Sequence, residues 1–225
     1  MGMRVRTPRT IAEAETIQEG LRPLLDLTGP GPRHPGRVAG VDVAYRGDRL
    51  AAAVAVLNGS TLEVVEQVVV GGRVTFGYVP GLLAFREIPA VVDALERLSA
   101  PPDLVVCDGY GLAHPRRFGL ACHLGVLTGL PTIGVGKTAF VGTHTAPAAE
   151  RGSWSDLLLD GDVVGRVLRT RPGVRPVFVS VGHRVDLDTA CRNVLTLTPR
   201  HRLPETTRVS DRLCRAALIE NVALG

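Results

Sequence analysis

Residues 37–57 read RVAGVDVAYRGDRLAAAVAVL, two runs of small and β-branched residues on either side of a polar turn. Short apolar runs rich in valine and bounded by Gly/Asp turns favour β-strands over helices, so we predict strands over Arg37–Tyr45 and Leu50–Leu57. The intervening turn, Arg46–Arg49, is short enough only for a hairpin, which makes these two strands antiparallel. The sheet of this protein therefore starts with an antiparallel pair.

Beyond this hairpin the pattern changes from strands alone to helices that alternate with strands. A third strand, Leu62–Val70, follows a turn at Asn58-Gly59 and is antiparallel to the second. The later elements are, in order, a helix with the apolar stripe Ile88, Val91, Val92, Leu95 and Leu98, the strand run Leu104–Asp108, a helix over Phe118–Thr128, a strand over Thr132–Val135, a hairpin centred on Asp160-Gly161, a strand over Val177–Val181, and helices near Asp188–Leu195 and Thr207–Ala223. Helical crossovers imply parallel strands. We therefore predict an α/β fold of the ribonuclease H-like kind, with a central mixed sheet (three antiparallel strands, then parallel strands) flanked by helices.

Length and composition indicate a single domain over residues 1–225. Apolar residues make up 45% of the chain and charged residues 21%, which is enough to fill a core and argues against global disorder. Residues 1–36 are predicted to be an N-terminal helix and a Gly/Pro connector. Thr10 and Glu13 have the spacing of a capping box, and the helix has an apolar stripe made of Ile11, Ala14, Ile17, Leu21, Leu24 and Leu25.

Membrane insertion and secretion are both disfavoured. The uncharged run Phe118–Gly136 contains five glycines and Pro131, so it fits a helix, a turn and a buried strand better than a membrane span. Residues 1–9 lack the apolar core of a signal peptide. The cysteines, at positions 107, 122, 191 and 214, form no CxxC pair and are typical of reduced structural thiols. We expect a cytoplasmic monomer that binds no membrane.

Three carboxylates are notable for their positions in the predicted elements. Asp42 lies in mid-strand with only Gly and Ala beside it on its own face, which leaves room for a metal ion and a backbone; an exposed strand edge is the alternative. Asp108 ends a buried strand, and functional sites in open α/β sheets commonly lie at the carboxyl ends of strands. An aspartate that simply starts a turn is the alternative. Glu87 comes just before Pro89, which fits the first turn of a helix, and the helix dipole alone explains an acid there.

Taken together, these acids predict a metal site. If Asp42 and Asp108 lie on adjacent strands and Glu87 on the covering helix, the three carboxylates converge. At ~4 Å and an effective dielectric constant of about 20, each pair of like charges repels by roughly 4 kcal/mol, so the cluster needs cations. Oxygen ligands suit Mg²⁺ or Mn²⁺ rather than zinc, and carboxylate-held Mg²⁺ is typical of phosphodiester hydrolysis.

Lys137 is a further chemical signal because it is the only lysine among 26 Lys and Arg residues. It lies in the run Gly134–Thr138 (GVGKT), which superficially resembles a phosphate-binding P-loop, but that pattern needs a glycine where Pro131 stands. Directly after a buried strand, its ammonium group can instead lie beside a phosphate; a solvated lysine is the alternative. The net charge of +4 is compatible with a polyanionic partner.

Several longer motifs resemble those of the endonuclease V family. They are Tyr78–Glu87 (YVPGLLAFRE), Asp108–Gly111 (DGYG) continuing to His114-Pro115-Arg116, Pro131–Lys137 (PTIGVGK), Gly182-His183-Arg184 and Arg202–Glu205 (RLPE). The resemblance covers about Val38 to Asp211, nearly the whole chain. Two positions depart from the family pattern. Gly77 stands where a proline usually precedes the tyrosine, which loosens that loop, and Thr206 replaces a proline in the C-terminal motif.

The resemblance implies a Mg²⁺-dependent DNA repair endonuclease, with Mn²⁺ able to substitute. Its substrate would be deoxyinosine (hypoxanthine) in duplex or single-stranded DNA, and inosine in RNA stays an open question. Cleavage would fall at the second phosphodiester bond on the 3′ side and leave a 3′-hydroxyl and a 5′-phosphate. The alternatives are another ribonuclease H-like, structure-directed nuclease, against which the Tyr78 segment argues, and a nucleic-acid-binding module without catalysis, against which the presence of every acid argues.

The resemblance also assigns roles to individual residues. The catalytic residues that it implies are Asp42, Glu87, Asp108, Lys137 and His114, the last two near the scissile phosphate. The implied metal ligands are Asp42, Asp108, Glu87 and Asp211. Tyr78 is the implied wedge that enters the base stack, and the implied DNA- and base-binding residues are Tyr78, Pro80, Leu83, Gly109, Gly111, Arg116 and Gly119.

Overall fold

The first three strands form the antiparallel ribbon that the hairpin turns predict. In the computed structural model, which describes residues 5–220, β1 (Arg37–Arg46) pairs with β2 (Arg49–Asn58), and β2 pairs with β3 (Val64–Arg73). β3 begins later than predicted and continues through Gly71-Gly72, which pair with the start of β2. Glycines weaken a strand but still offer backbone hydrogen bonds, so they do not end this one.

The remaining strands extend the sheet from the other edge of β1. They are β4 (Leu104–Cys107), β5 (Thr132–Gly136), β6 (Trp154–Leu159), β7 (Asp162–Leu168) and β8 (Val177–His183). β4 is parallel to β1 and β5 is parallel to β4, whereas β8 is antiparallel to β5 and continues into the β7–β6 hairpin. The strand order is β3-β2-β1-β4-β5-β8-β7-β6. The predicted central mixed sheet is confirmed, with an antiparallel extension at its far end.

Helices cover both faces of this sheet. They are α1 (Ile11–Leu21, followed by a 3-10 turn at Arg22–Leu24), α2 (Leu83–Glu96), α3 (Leu120–Thr128), α4 (Leu187–Thr196) and α5 (Glu205–Ile219). α2 and α3 pack on the face that carries Val41 and Val43. α5 packs on the opposite face against Ala51 and Ala53, whose small side chains let the helix approach closely. The predicted end of the last helix, Ala223, lies outside the described residues.

The start of α2 differs from the prediction. The helix begins at Leu83, so Pro89 lies inside it rather than in its first turn. A proline there removes one helical hydrogen bond, a loss of about 3 kcal/mol in an isolated helix, but the buried residues Ile88 and Val91 anchor this helix to the sheet. Glu87 is therefore beyond the first turn, and the helix dipole does not account for it.

The N-terminal helix keeps its predicted cap but not its predicted buried stripe. Thr10 accepts a hydrogen bond from the N–H of Glu13 at 3.1 Å. Ile11 and Leu24, both assigned to the apolar stripe, are each 51% exposed, whereas Gln18 is 1% exposed. The buried face of α1 is therefore rotated from the one that the apolar pattern indicates, and it contains a polar residue.

A glycine beside Asp42 makes room for the backbone of a helix. A Cβ atom at Gly40 would lie 2.3 Å from the carbonyl carbon of Thr206, so β1 and α5 touch backbone to backbone there. The expected room for a backbone beside Asp42 is confirmed, and the expected room for a metal ion stays a prediction. The close approach also brings Asp211, further along α5, into the cleft that Asp42 lines.

The uncharged run Phe118–Gly136 and the four cysteines adopt the structures predicted for them. Among the helices of residues 5–220, none is long and apolar enough to cross a membrane. The uncharged run Phe118–Gly136 divides between α3 and β5. The cysteines at positions 107, 122, 191 and 214 are free thiols and all are buried.

Gly40→Ala should lower the stability of the protein, because the added methyl group must displace the backbone of α5. Overpacking of this kind costs about 1–3 kcal/mol, and each kcal/mol lowers the Tm by about 2–4 °C in a domain of this size. Gly72→Ala in β3 is the matched control, since its Cβ would meet nothing closer than the Leu50 side chain at 3.6 Å. Calorimetry that gave both variants the Tm of the wild type would mean that α5 shifts freely.

Candidate metal and base-binding site

β1 and β4 bring two of the predicted acids to the same edge of the sheet. Val41 is opposite Cys107 in their parallel pairing, so the next residues, Asp42 and Asp108, are neighbours on strands about 4.8 Å apart. The Oδ1 atom of Asp42 accepts the backbone N–H of Val43 at 2.8 Å. The prediction that these two acids lie on adjacent strands is confirmed.

The other two acids come from helices on opposite faces of the sheet. Glu87 of α2 is 8% exposed, and its Oε1 atom accepts a hydrogen bond from the Tyr45 hydroxyl at 3.0 Å. Asp211 of α5 accepts a hydrogen bond from Nε of Arg215 at 2.7 Å. An open cleft of about 540 Å³ is lined by Asp42, Asp108, Lys137, Asp211 and Arg215.

Burial and mutual repulsion both oppose ionisation in this cluster. Burial, reinforced by the charge of Asp108, raises the pKa of Asp42 to about 7, although the Val43 N–H opposes the shift. Burial raises the pKa of Glu87 to about 8 against the opposing hydrogen bond from Tyr45. Near neutral pH the cluster therefore carries less negative charge than its number of carboxyl groups would give.

Lys137 supplies a compensating positive charge. Its ammonium group lies 2.5 Å from Oδ2 of Asp108. Burial alone would lower the pKa of Lys137, but the hydrogen bond and charge of Asp108 outweigh it, so the pKa lies above its ordinary value. The adjoining backbone is fixed, because Arg202 donates to the carbonyl of Lys137 and the Tyr110 hydroxyl donates to that of Thr138. This lysine is therefore not simply a solvated surface residue.

The donor set of the cleft fits a hard divalent cation. Asp42, Asp108 and Asp211 line the cleft and offer only carboxylate oxygens, the ligands that Mg²⁺ and Mn²⁺ take. Glu87 does not line the cleft, but it is buried, and it lies close enough to Asp42 and Asp108 for their charges to add to the rise in its pKa. Across the described residues, no group of three His, Cys, Asp or Glu side chains is already arranged to hold a metal ion. Instead Glu87, Asp108 and Asp211 each face a partner within the protein, and a cation would compete with Lys137 for Asp108.

A second cavity, of about 330 Å³, adjoins the cleft and shares Asp108 and Lys137 with it. Its volume is within the range of roughly 300–1,000 Å³ that is usual for small-ligand pockets. The residues implied for base binding that line this cavity are Tyr78, Pro80, Leu83, Gly109 and Gly119. The Tyr78 side chain is 67% exposed, so its ring stands at the opening.

Gly111 and Arg116, also implied for base binding, do not line this cavity. A Cβ atom at Gly111 would lie 1.9 Å from the carbonyl oxygen of Val181, and its N–H donates to Oγ of Ser180 at 2.8 Å. Gly111 therefore packs against β8, behind the cavity wall. The guanidinium group of Arg116 is likewise occupied by hydrogen bonds within the protein. The structure gives both residues a supporting position rather than the base-contacting one that the resemblance implies.

His114 lines the cavity with both ring nitrogens engaged. Its Nδ1 atom accepts the backbone N–H of Arg116 at 3.2 Å, so Nε2 carries the proton and donates to the Gly81 carbonyl at 2.9 Å. Burial lowers the pKa of His114 to about 4, and the ring is neutral at physiological pH. This arrangement favours a positioning role over the phosphate contact that the resemblance implies.

Close packing explains the glycines that imitate a P-loop. A Cβ atom at Gly134 would lie 2.7 Å from the backbone of Gly111, and one at Gly136 would lie 2.4 Å from the Tyr110 ring. Both glycines belong to β5 and let the 109–111 segment lie directly on that strand. The rejection of the P-loop interpretation is therefore confirmed.

The residues that sequence reasoning did not single out include Gln18, Tyr110 and Phe140, all of which line the cavity. Phe140 stacks on Tyr110 with ring centroids 5.2 Å apart and is 37% exposed. Only Gln18 had a signal in the sequence. It lies four residues after Ala14, inside the apolar stripe of α1, where a polar side chain is unusual.

Residues 21–212 of the chain match the sequence model of a known family, Endonuclease V. The chain belongs to the endonuclease V family. Endonuclease V of Streptomyces coelicolor is 62% identical over 214 residues, which cover 94% of this chain and 92% of that protein. The crystal structure of Endonuclease V from Streptomyces avermitilis superposes with a TM-score of 0.93 at 58% identity, over 98% of each chain.

A more distant member has been crystallised with nucleic acid. Ciona intestinalis Endonuclease V, in complex with a 24mer DNA containing an inosine followed by a ribo-adenosine, superposes with a TM-score of 0.82 at 28% identity, over 94% of this chain and 98% of that one. The resemblance inferred from the motifs is thus confirmed, and with it the ribonuclease H-like fold.

Asp42→Asn should stabilise the metal-free protein at alkaline pH. Because the pKa of Asp42 rises from about 4 in the unfolded chain to about 7 in the fold, stability is lost as the pH rises between these values. The amide removes this loss and keeps an acceptor for Val43. In melts with a chelator, the gain in Tm should therefore be larger at pH 8 than at pH 5. Glu19→Gln, an exposed change on α1, is the control, and a larger gain at pH 5 would contradict the raised pKa.

Proposed function

We propose that the chain is a Mg²⁺-dependent endodeoxyribonuclease, with Mn²⁺ able to substitute, that recognises deoxyinosine in duplex or single-stranded DNA. It hydrolyses the second phosphodiester bond on the 3′ side of the lesion and leaves a 3′-hydroxyl and a 5′-phosphate. One observation carries the proposal: Asp108 and Lys137 line both the cavity and the carboxylate cleft. A base held in the cavity therefore keeps its own backbone beside the acids.

The carboxylates Asp42, Glu87, Asp108 and Asp211 would hold the metal. When bound, Mg²⁺ supplies an activated water and neutralises charge on the leaving oxygen. Lys137 is half exposed and close to Asp108, so its ammonium group can reach a phosphate oxygen while the backbone contacts of Arg202 and Tyr110 hold its strand end in place.

A rigid wall would separate hypoxanthine from guanine, which differs only by a 2-amino group. The Gly109–Tyr110 backbone lies directly against Gly134 of β5, and Gly111 behind it lies directly against the Val181 carbonyl of β8, because Gly134 and Gly111 lack Cβ atoms. A close-packed wall of this kind does not yield to an extra group, so guanine is excluded sterically. Adenine fails differently, since it lacks the O6 acceptor and the N1 proton of hypoxanthine.

Tyr78 would replace the base that leaves the stack. Extrusion of a base from a duplex costs a few kcal/mol, and an aromatic ring stacked on a neighbouring base recovers about 1–3 kcal/mol. The Tyr78 ring is exposed at the opening of the cavity, where such a gap would form. The inosine-containing DNA bound by the Ciona intestinalis family member supports this substrate.

Cleavage of defined duplexes tests the proposal. A duplex with one deoxyinosine opposite cytosine should be cut with Mg²⁺ and not with a chelator, and the mapped ends should place the nick at the second 3′ phosphodiester. An otherwise identical G·C duplex should stay intact, and I·T should be cut as I·C is. Asp108→Asn should abolish cleavage, whereas Asp93→Asn, an exposed change on α2, should not. Comparable cutting of G·C and I·C would instead indicate a structure-directed nuclease.

Tyr78→Ala should weaken binding to an inosine-containing duplex by roughly 10- to 100-fold, because the stacking energy of the ring is lost. Binding to a single strand with the same lesion should change much less, since no stack has to be opened. Tyr78→Phe keeps the ring and should retain most of the affinity, and Trp154→Ala tests an exposed aromatic residue elsewhere on the surface. Equal losses for duplex and single strand, measured by fluorescence anisotropy, would argue against a wedge.

A further inference from the structure

One carbonyl oxygen holds the loop that carries Tyr78. The oxygen of Gly81 accepts hydrogen bonds from three side chains, Nε2 of His114 at 2.9 Å, Nη2 of Arg116 at 3.0 Å and Nε2 of Gln18 at 3.1 Å. Gly81 has a positive φ of 83°, and a Cβ there would lie 3.0 Å from Arg116. Only glycine presents its carbonyl to these donors without strain.

The same Gln18 amide also reaches a second segment of the cavity wall. Its Nε2 atom donates to the carbonyl of Phe118 at 3.2 Å, and its Oε1 atom accepts Nε of Arg116 at 2.7 Å. Phe118 comes directly before Gly119, which lines the cavity and caps the start of α3. One buried side chain thus ties the loop at Gly81 to the start of α3.

Helix α1 is itself fixed in place next to this amide. Glu15, one turn before Gln18, forms an ion pair with Nη1 of Arg116 at 3.1 Å. Ala14 of the same helix packs with Phe76 and Val79, which flank Tyr78 in the sequence. Helix α1 and the loop that carries Tyr78 are therefore joined by apolar packing on one side and by the Gln18 hydrogen bonds on the other.

We propose that Gln18 is a positioning residue for base selection. It sets the separation between two walls of the cavity, the loop that contains Tyr78 and Gly81 and the segment Phe118-Gly119 at the start of α3. This inference rests on the function proposed above. Hypoxanthine and guanine differ by one amino group, so discrimination by exclusion depends on how little the walls can part. Two hydrogen bonds from a single nitrogen restrain the two walls relative to each other. Loss of these donors loosens the cavity, while Lys137 and the carboxylates proposed to hold the metal stay in place.

Two substitutions distinguish the contribution of the Gln18 amide nitrogen, which donates, from that of its oxygen, which accepts. Gln18→Leu keeps most of the volume and removes every hydrogen bond. Gln18→Glu keeps an oxygen for Arg116 and replaces the donor to Gly81 and Phe118 by a carboxylate oxygen, which cannot donate. Gln67→Leu, an exposed glutamine-to-leucine change on β3, is the matched control. Single-turnover rates on I·C and G·C duplexes are measured well below the Tm of each variant, with folding verified by circular dichroism.

Both Gln18 variants should cut I·C about tenfold more slowly, as the loss of two buried hydrogen bonds implies, and their preference for I·C over G·C should fall by a similar factor. Gln67→Leu should match the wild type. A lower Tm with an unchanged I·C to G·C ratio would overturn the proposal and make Gln18 a purely structural residue. A wild-type ratio in Gln18→Glu would also overturn it, because the donors would then be dispensable. A wild-type enzyme without preference for I·C would refute the proposed function itself, so the two failures are distinguishable.

Discussion

The parallel pairing of β1 and β4 places Asp42 and Asp108 next to each other, and much of the site is arranged around the repulsion between them. Burial adds to the cost of ionising Asp42 and raises its pKa, whereas Asp108 is paired with Lys137. Glu87 and Asp211 approach from helices on opposite faces and bring two further carboxyl groups close to this pair. A divalent cation, as proposed above, would offset this repulsion.

Backbone-to-backbone contacts make the remainder of the site rigid. Gly40 lets α5 touch β1, which carries Asp211 into the cleft, and Gly134 lets the backbone after β4 lie on β5. Side chains at these contacts would leave room for rotamer changes, whereas backbone in direct contact cannot adjust. The cavity wall and the acid cluster therefore share one stiff framework, and the Lys137–Thr138 segment connects them.

Local sequence patterns determined the strands, the hairpins and the principal acids. Alternation and turn residues depend on neighbouring positions, so they identify β1 and β2 and place Asp42 within a strand. The predicted ends of strands and helices singled out Glu87, Asp108 and Lys137 before the family motifs added roles for them, and the tertiary structure brings all four into one region. The strand and hairpin predictions are confirmed because each depends on a short, contiguous stretch of chain.

Only the tertiary structure decided what fills the space around these residues. A helical stripe indicates that one face of α1 is buried, but nothing local indicates that Gln18 reaches Gly81 or Phe118, since such bonds join residues far apart in sequence. The same holds for Pro89, which α2 tolerates because tertiary packing offsets one lost hydrogen bond, and for Gly111, whose partner is another strand rather than a base. The periodicity of apolar residues predicts that a side chain is buried. The residue that it contacts depends on how segments distant in sequence pack together.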